Sequence, residues 1–276
     1  MKRILACCLI LVATAFEGRP RLLTWVAIGD SITYMNEHLD ETGNRLTKGY
    51  LTDVAERIDY VHYVNEGRNG WTTEGYAKAI SNLNIPKGDV YSVFLGTNDW
   101  WQGHRIGVWA DYQNGTGDGT IYGSMRVLID KIRSLNKSAP IILITPMPRA
   151  DFVYIHDYNN NAYGSYKTKN GQTLEQVAEA IVDIGRHEGF ATVDLYHEKK
   201  LAVPHLVRFK RLKDTVTGAY RNFPYPEYIG VPFNARADEY PYPVEAVDMT
   251  YDGLHPSDAG CKVIAEKLIR VLRHVR

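Results

Sequence analysis

Short apolar runs rich in Val, Ile and Leu recur along the chain at positions 24–28, 60–64, 89–95, 140–145 and 190–194. Runs of this length and β-branched content read as buried strands. Between them, apolar residues return at helical spacing over 49–58, 72–82, 122–135 and 173–187, and again over 257–273. Strand and helix in regular alternation predict an α/β protein, a three-layer αβα sandwich built on a five-stranded parallel sheet with helices on both faces.

A doubly wound sheet of five strands commonly takes the flavodoxin-like order 2-1-3-4-5. Its ligand crevice then lies outside the carboxyl ends of the strands beside strand 1, where the order reverses. Two segments break the alternation. Residues 103–119 are rich in Gly, Asn and Asp and are expected to form a surface excursion near that crevice. Residues 196–250 interleave Pro224, Pro226, Pro232, Pro241 and Pro243 with Tyr and Phe, and the prolines forbid a continuous helix there. With no internal repeat and no low-complexity linker, residues 22–276 read as one domain carrying an aromatic and proline-rich insertion at about 196–250.

The composition is that of an ordinary globular chain. Of 276 residues, 45% are hydrophobic and 23% charged, with 32 Lys and Arg against 32 Asp and Glu. Disorder, collagen and a multi-span membrane protein are thereby excluded. Balanced charge without a Lys/Arg cluster argues against nucleic acid as a partner. Residues 1–15 have the three parts of a secretory signal: Lys2 and Arg3, the apolar run 4–12, and Ala13-Thr14-Ala15. The run falls short of the roughly 20 residues that span a bilayer, so no membrane insertion is expected after cleavage. Secretion or periplasmic export is favoured over lipid anchoring at Cys7, because Leu5-Ala6-Cys7 leaves little hydrophobic segment ahead of the cysteine. Cys7 and Cys8 go with the signal, and the remaining Cys261 lies on the apolar face of the last helix, where a buried structural thiol is expected.

Candidate chemistry collects at three strand ends and one late loop. Strand 1 runs into Gly29-Asp30-Ser31, placing a serine at the crevice; alone, it could simply cap the next helix. Strand 2 leads into Gly67-Arg68-Asn69-Gly70-Trp71, whose glycines can turn N–H groups toward an anion, although such turns are common without function. Strand 3 ends in Gly96-Thr97-Asn98-Asp99, with the Asn98 carboxamide on the same edge as Ser31. Before the last helix, Asp252-Gly253-Leu254-His255 sets an acid and an imidazole three positions apart on a loop.

These segments resemble the SGNH hydrolases, the superfamily of GDSL-like lipases and acetylesterases. The matches are Gly29-Asp30-Ser31, Gly70, Gly96-Thr97-Asn98-Asp99 and Asp252-Gly253-Leu254-His255, in the family's order and spanning most of the chain; Ile32 stands where a leucine is usual. The resemblance implies a carboxylic ester hydrolase needing no cofactor. Ser31 would be the nucleophile, His255 the general base and acid, and Asp252 the orienting carboxylate. The Ser31 and Gly70 N–H groups and the Asn98 amide would form the oxyanion hole. No metal is expected either: no His-Glu-x-x-His occurs, and a solvated loop explains His104 and Asp111.

The acyl and alcohol groups rest on softer signals. Trp71, Trp100 and Trp101 follow the oxyanion segments and could stack on sugar rings, or simply pack the domain. Asp30, Arg68, Asp99 and Met147 lie near strand ends as further substrate-binding candidates. Export and the lack of an apolar lid helix favour an acetyl ester on a carbohydrate, a small-molecule or glycan substrate. The alternatives are a lysophospholipase or thioesterase of the same chemistry, and a non-catalytic carbohydrate-binding protein.

Overall fold

The computed structural model describes residues 21–275. The expected export signal over 1–15, with Cys7 and Cys8, lies outside the described residues. Nine strands are present among those described: β1 (Leu23–Gly29), β2 (Val61–Gly67), β3 (Val90–Phe94), β4 (Ile141–Ile144), β5 (Phe152–Tyr154), β6 (Asp157–Ala162), β7 (Ala191–Val193), β8 (Lys210–Lys213) and β9 (Tyr220–Phe223). Five of them form one parallel sheet in the order β2-β1-β3-β4-β7. This is the expected order, with the fifth sheet strand seventh in the chain because the hairpin β5–β6 intervenes.

Alternation along β1 makes the two cores. Trp25 and Ala27 point into one, with the helices Tyr50–Arg57 and Asp258–Leu272. Val26 and Ile28 point into the other, with Ile121–Leu135 and Leu174–Glu188. All four β1 residues are fully buried, as a strand covered on both faces requires. Hydroxyl side chains start the covering helices: Thr72, Thr120, Thr173 and Ser257 each accept the N–H of the third residue of the following helix, and Gln176 completes a capping box with Thr173. The helix expected over 72–82 is shorter, Thr73–Ala79; beyond it the Asn82 N–H turns back to the Ala79 carbonyl as the chain descends toward Pro86. Cys261 is buried in the first core, as its helical spacing predicts.

The two irregular segments differ from expectation. Residues 103–119 contain a short helix, Trp109–Gln113, which docks through buried Tyr112 and stacks Trp109 on His187 at 4.0 Å. They pack on the second core, and none of them lines the cavity beside Ser31. The insertion 196–250 sends Leu206, Leu212, Tyr228 and Tyr242 into the first core. Its aromatics serve chiefly as packing, and the antiparallel β8–β9 hairpin supplies the backbone pairing that its prolines deny to a helix.

Candidate active site

Register brings the site together. Gly29, the last residue of β1, lies opposite Gly67 of β2 and Phe94 of β3, so all three strands deliver their next residues to one edge. Asp30 caps the short helix Ser31–Tyr34 by accepting the Ile32 N–H, leaving the Ser31 side chain at the crevice. The loop 252–255 arrives from the far end of the chain. His255 Nε2 is 2.9 Å from Ser31 Oγ, and His255 Nδ1 is 2.7 Å from Asp252 Oδ2. Asp252 is fully buried and also accepts the backbone N–H groups of Leu254 and His255 on Oδ1. An ionised carboxylate can only accept, so the imidazole proton sits on Nδ1, and Nε2 is free to accept from the Ser31 hydroxyl. Both residues are nearly buried, with Ser31 4% and His255 5% exposed.

Ser31, His255, Gly70 and Asn98 line one cavity of about 200 Å³. Gly70 adopts φ +75°, and no backbone carbonyl among the described residues takes its N–H. A Cβ there would meet nothing within 4 Å, so glycine is needed for conformation alone. Asn98 donates one N–H to the Trp71 carbonyl at 3.0 Å, which fixes the amide and leaves its second N–H for the cavity. Donors held in this way suit an oxygen that gains negative charge. A larger cavity of about 810 Å³ lies among Trp109, Gln172, Glu179, Asp183 and Arg186, and contains none of these groups.

The other sequence candidates divide sharply. Trp101 lines the cavity beside Ser31. Trp100 is buried, its Nε1 donating to the Gln172 carbonyl, and Met147 belongs to the first core. Asp99 is buried and accepts the Thr73 N–H and hydroxyl, tying the helix Thr73–Ala79 to the end of β3. Arg68 pairs with Glu66 at 3.0 Å and lies over Trp71, which packs edge-on against Tyr76. None of these five lines the cavity beside Ser31, and neither does Asp30. Asp30 is buried with Oδ2 unpartnered, and burial pushes its pKa up to about 7. His104 is no solvated loop residue: it sits 3.1 Å from Glu74 and 3.5 Å from Asp99. Asp111 accepts the Val108 N–H and caps the helix Trp109–Gln113.

Several wall residues escaped the sequence reading. Arg149, Phe152 and Asn160 come from the segment after β4 and its hairpin β5–β6. The signal for Arg149 was its place beyond the carboxyl end of a fourth crevice strand. The polar run Asn159-Asn160-Asn161 carries no strand pattern, so nothing marked the hairpin. Arg149 is 1% exposed, and burial lowers its pKa to about 10.

A five-stranded parallel sheet with helices on both faces and this strand-end constellation define a hydrolase of the SGNH type, the ester-cleaving class. The chain belongs to the GDSL-like lipase/acylhydrolase family, whose profile matches residues 27–263. Its fold is similar to that of a possible lipase from Chitinophaga pinensis DSM 2588, at 57% identity, TM-score 0.91, and coverage of 92% of this chain and 98% of that one. A protein from Lactobacillus plantarum shares the fold at 21% identity and TM-score 0.60, covering 92% and 98%. An acetyl xylan esterase shares it at 16% identity and TM-score 0.54, covering 90% and 99%. Comparison with curated proteins returns no match.

Proposed function

We propose that the protein is an exported serine esterase that removes a short acyl group, acetyl above all, from a carbohydrate. The observation that carries this reading is the chain Asp252–His255–Ser31, linked at 2.7 and 2.9 Å, opening on a cavity shared with Gly70 and Asn98. Ser31 Oγ attacks the ester carbonyl as His255 Nε2 takes its proton, and Asp252 stabilises the imidazolium that results. The carbonyl oxygen becomes an oxyanion held by the N–H groups of Ser31, Gly70 and Asn98. Collapse breaks the bond to the alcohol oxygen, which leaves with the proton from His255. Water then attacks the acyl-Ser31 ester, giving its proton to His255, and the carboxylic acid departs as Ser31 regains a proton.

Size supports a short acyl group. At roughly 30 Å³ for a water-sized group, a cavity of about 200 Å³ has room for an acetyl ester and part of its alcohol. Asn69, Asn98, Gln102 and Asn160 beside Trp101 offer the mixture of hydrogen-bonding groups and aromatic face that a sugar uses. A lipase reading draws on Phe152, Ala162 and Leu254 in the same wall. Turnover of p-nitrophenyl esters from acetyl to palmitoyl, by the wild type and Ser31→Ala, tests the proposal. Preference for acetyl that is lost in the variant supports it; preference for long chains moves the assignment to a lipase, and equal background in both proteins removes the esterase. N-terminal sequencing of protein recovered outside the cytoplasm tests export, with a mature chain expected to begin close after Ala15.

A further inference from the structure

A second cavity of about 300 Å³ abuts the catalytic one, and the two share Trp101, Phe152 and Ala162 as a common wall. An ester held at Ser31 has its acyl group in the first cavity, so its alcohol half is directed either to solvent or across this wall. The second cavity has the surfaces of a sugar subsite. Trp101, Tyr163, Tyr166 and Phe233 line it, none of them fully buried, and Trp101 and Tyr163 meet edge to face at 4.8 Å.

Its charge is unlike that of the chain as a whole. Arg149, Lys167 and Lys210 line the two cavities against a single carboxylate, Asp151, while the whole sequence is balanced at 32 of each sign. Asp151 is already occupied, by Lys210 at 2.9 Å and by the Tyr166 hydroxyl and Gly164 N–H. Lys169 extends the positive face, its Nζ 4.2 Å from the Trp101 ring centroid, and Lys167 lies over Tyr163 and Tyr166.

Arg149 is the most telling member. The rings of Trp100, Trp101 and Phe152 surround its guanidinium at 5.4 to 6.0 Å. Aromatic faces satisfy the cation's charge but not its N–H groups, and Nε and Nη2, the paired donors of one edge, have no acceptor among the described residues. A buried arginine without a carboxylate partner is costly to maintain. No ion pair among the described residues offsets its charge, so the cavity it lines favours an anionic group.

We propose that the alcohol half of the substrate is a carboxylate-bearing sugar, seated in this second cavity with its acid group drawn to Arg149 and Lys167. The inference rests on the esterase reading above and names the substrate class for that site. The probes are an O-acetylated methyl glucuronide with its carboxylate free, the same compound with the carboxylate methylated, and p-nitrophenyl hemisuccinate beside p-nitrophenyl acetate. At low salt, kcat/KM for the free acid should exceed that for its methyl ester by about tenfold or more, chiefly through KM. Lys167→Gln and Arg149→Met should each drive that ratio toward one. Lys167 is exposed, so its variant keeps the test open if the arginine variant does not fold.

Calorimetry of methyl glucuronide on Ser31→Ala separates the two proposals. Binding that Lys167→Gln weakens supports the acidic-sugar site even if p-nitrophenyl acetate is not turned over. Equal rates on acid and methyl ester, or a preference that survives in both charge variants, overturn the inference while leaving the esterase intact. Discrimination seen only for hemisuccinate over acetate also overturns it, by assigning the charge to the acyl side.

Discussion

The backbone N–H of Ala150 donates to the carbonyl of Gly253 at 2.9 Å, joining the segment that leaves β4 to the loop that carries Asp252 and His255. The Val153 N–H adds a second tie, to the Asp252 carbonyl at 3.3 Å. Gly253 makes the approach close, with φ +89° and a position where a Cβ would stand 2.0 Å from the Asp151 carbonyl oxygen. That atom is backbone and cannot step aside. Gly253→Ala should therefore displace the loop, lowering kcat on the order of 10²-fold and stability by more than about 1 kcal/mol. Steady-state kinetics with thermal unfolding checks both, and a variant with full activity would show that the loop tolerates the shift.

Much of this was legible from residue order. The short apolar runs locate all five sheet strands, and the order reversal at β1 points to the edge where Ser31 and Asn98 meet. What sequence could not give is which side of each strand-end residue faces inward. Asp99 and Trp100 directly follow Asn98, yet the turn of the helix Thr97–Gln102 buries both and leaves Trp101 at the cavity. The hairpin β5–β6 escaped because its pairing is between backbones, and Asp157–Ala162 is polar at most positions. Arg149 escaped for a related reason, since a buried cation leaves no periodic mark.

On the proposed mechanism, the two outer oxyanion positions should respond differently to substitution. Asn98 contributes a side-chain donor already oriented by the Trp71 carbonyl, and Asn98→Ala removes it outright. A fall in kcat of about 10²- to 10³-fold with little change in KM is expected. Gly70 contributes a backbone N–H, which Gly70→Ala retains, and the space beside it is open. The alanine must hold a positive φ at a cost of order 1 kcal/mol, so its loss should be the smaller of the two. Kinetics of both variants on p-nitrophenyl acetate decides the ranking, and a more severe effect at Gly70 would contradict it.

Asp30 should make the protein less stable as pH rises. Burial raises its pKa from 3.8 to about 7, so the folded state keeps a proton that the unfolded state releases. Its contribution is fully present below the unfolded value and is lost between about pH 4 and pH 7. Asp30→Asn keeps an oxygen for the Ile32 N–H but cannot ionise. Relative to wild type, the variant should gain stability from pH 4 to pH 8, by as much as a few kcal/mol. Urea unfolding across that range tests the sign, and a difference independent of pH would refute buried ionisation.

His104 has the same slope for the opposite chemical reason. The Asp99 carboxylate beside it raises its pKa above 6.5, with Glu74 adding to the effect and partial burial opposing it. The imidazolium gains from two carboxylates in the fold and from neither when unfolded. Its stabilisation is therefore complete below the unfolded pKa and disappears as pH rises through the higher folded value. Glu74 and Asp99 flank the start of the helix Thr73–Ala79, which follows directly on Gly70 and Trp71, so the lost charge loosens the element that carries the Gly70 turn. His104→Asn removes the charge at every pH. The stability deficit of the variant should be clear near pH 5.5 and nearly gone by pH 9, as read by thermal unfolding in matched buffers. A deficit that persists unchanged at pH 9 would mean that the ring packs there and its charge contributes nothing.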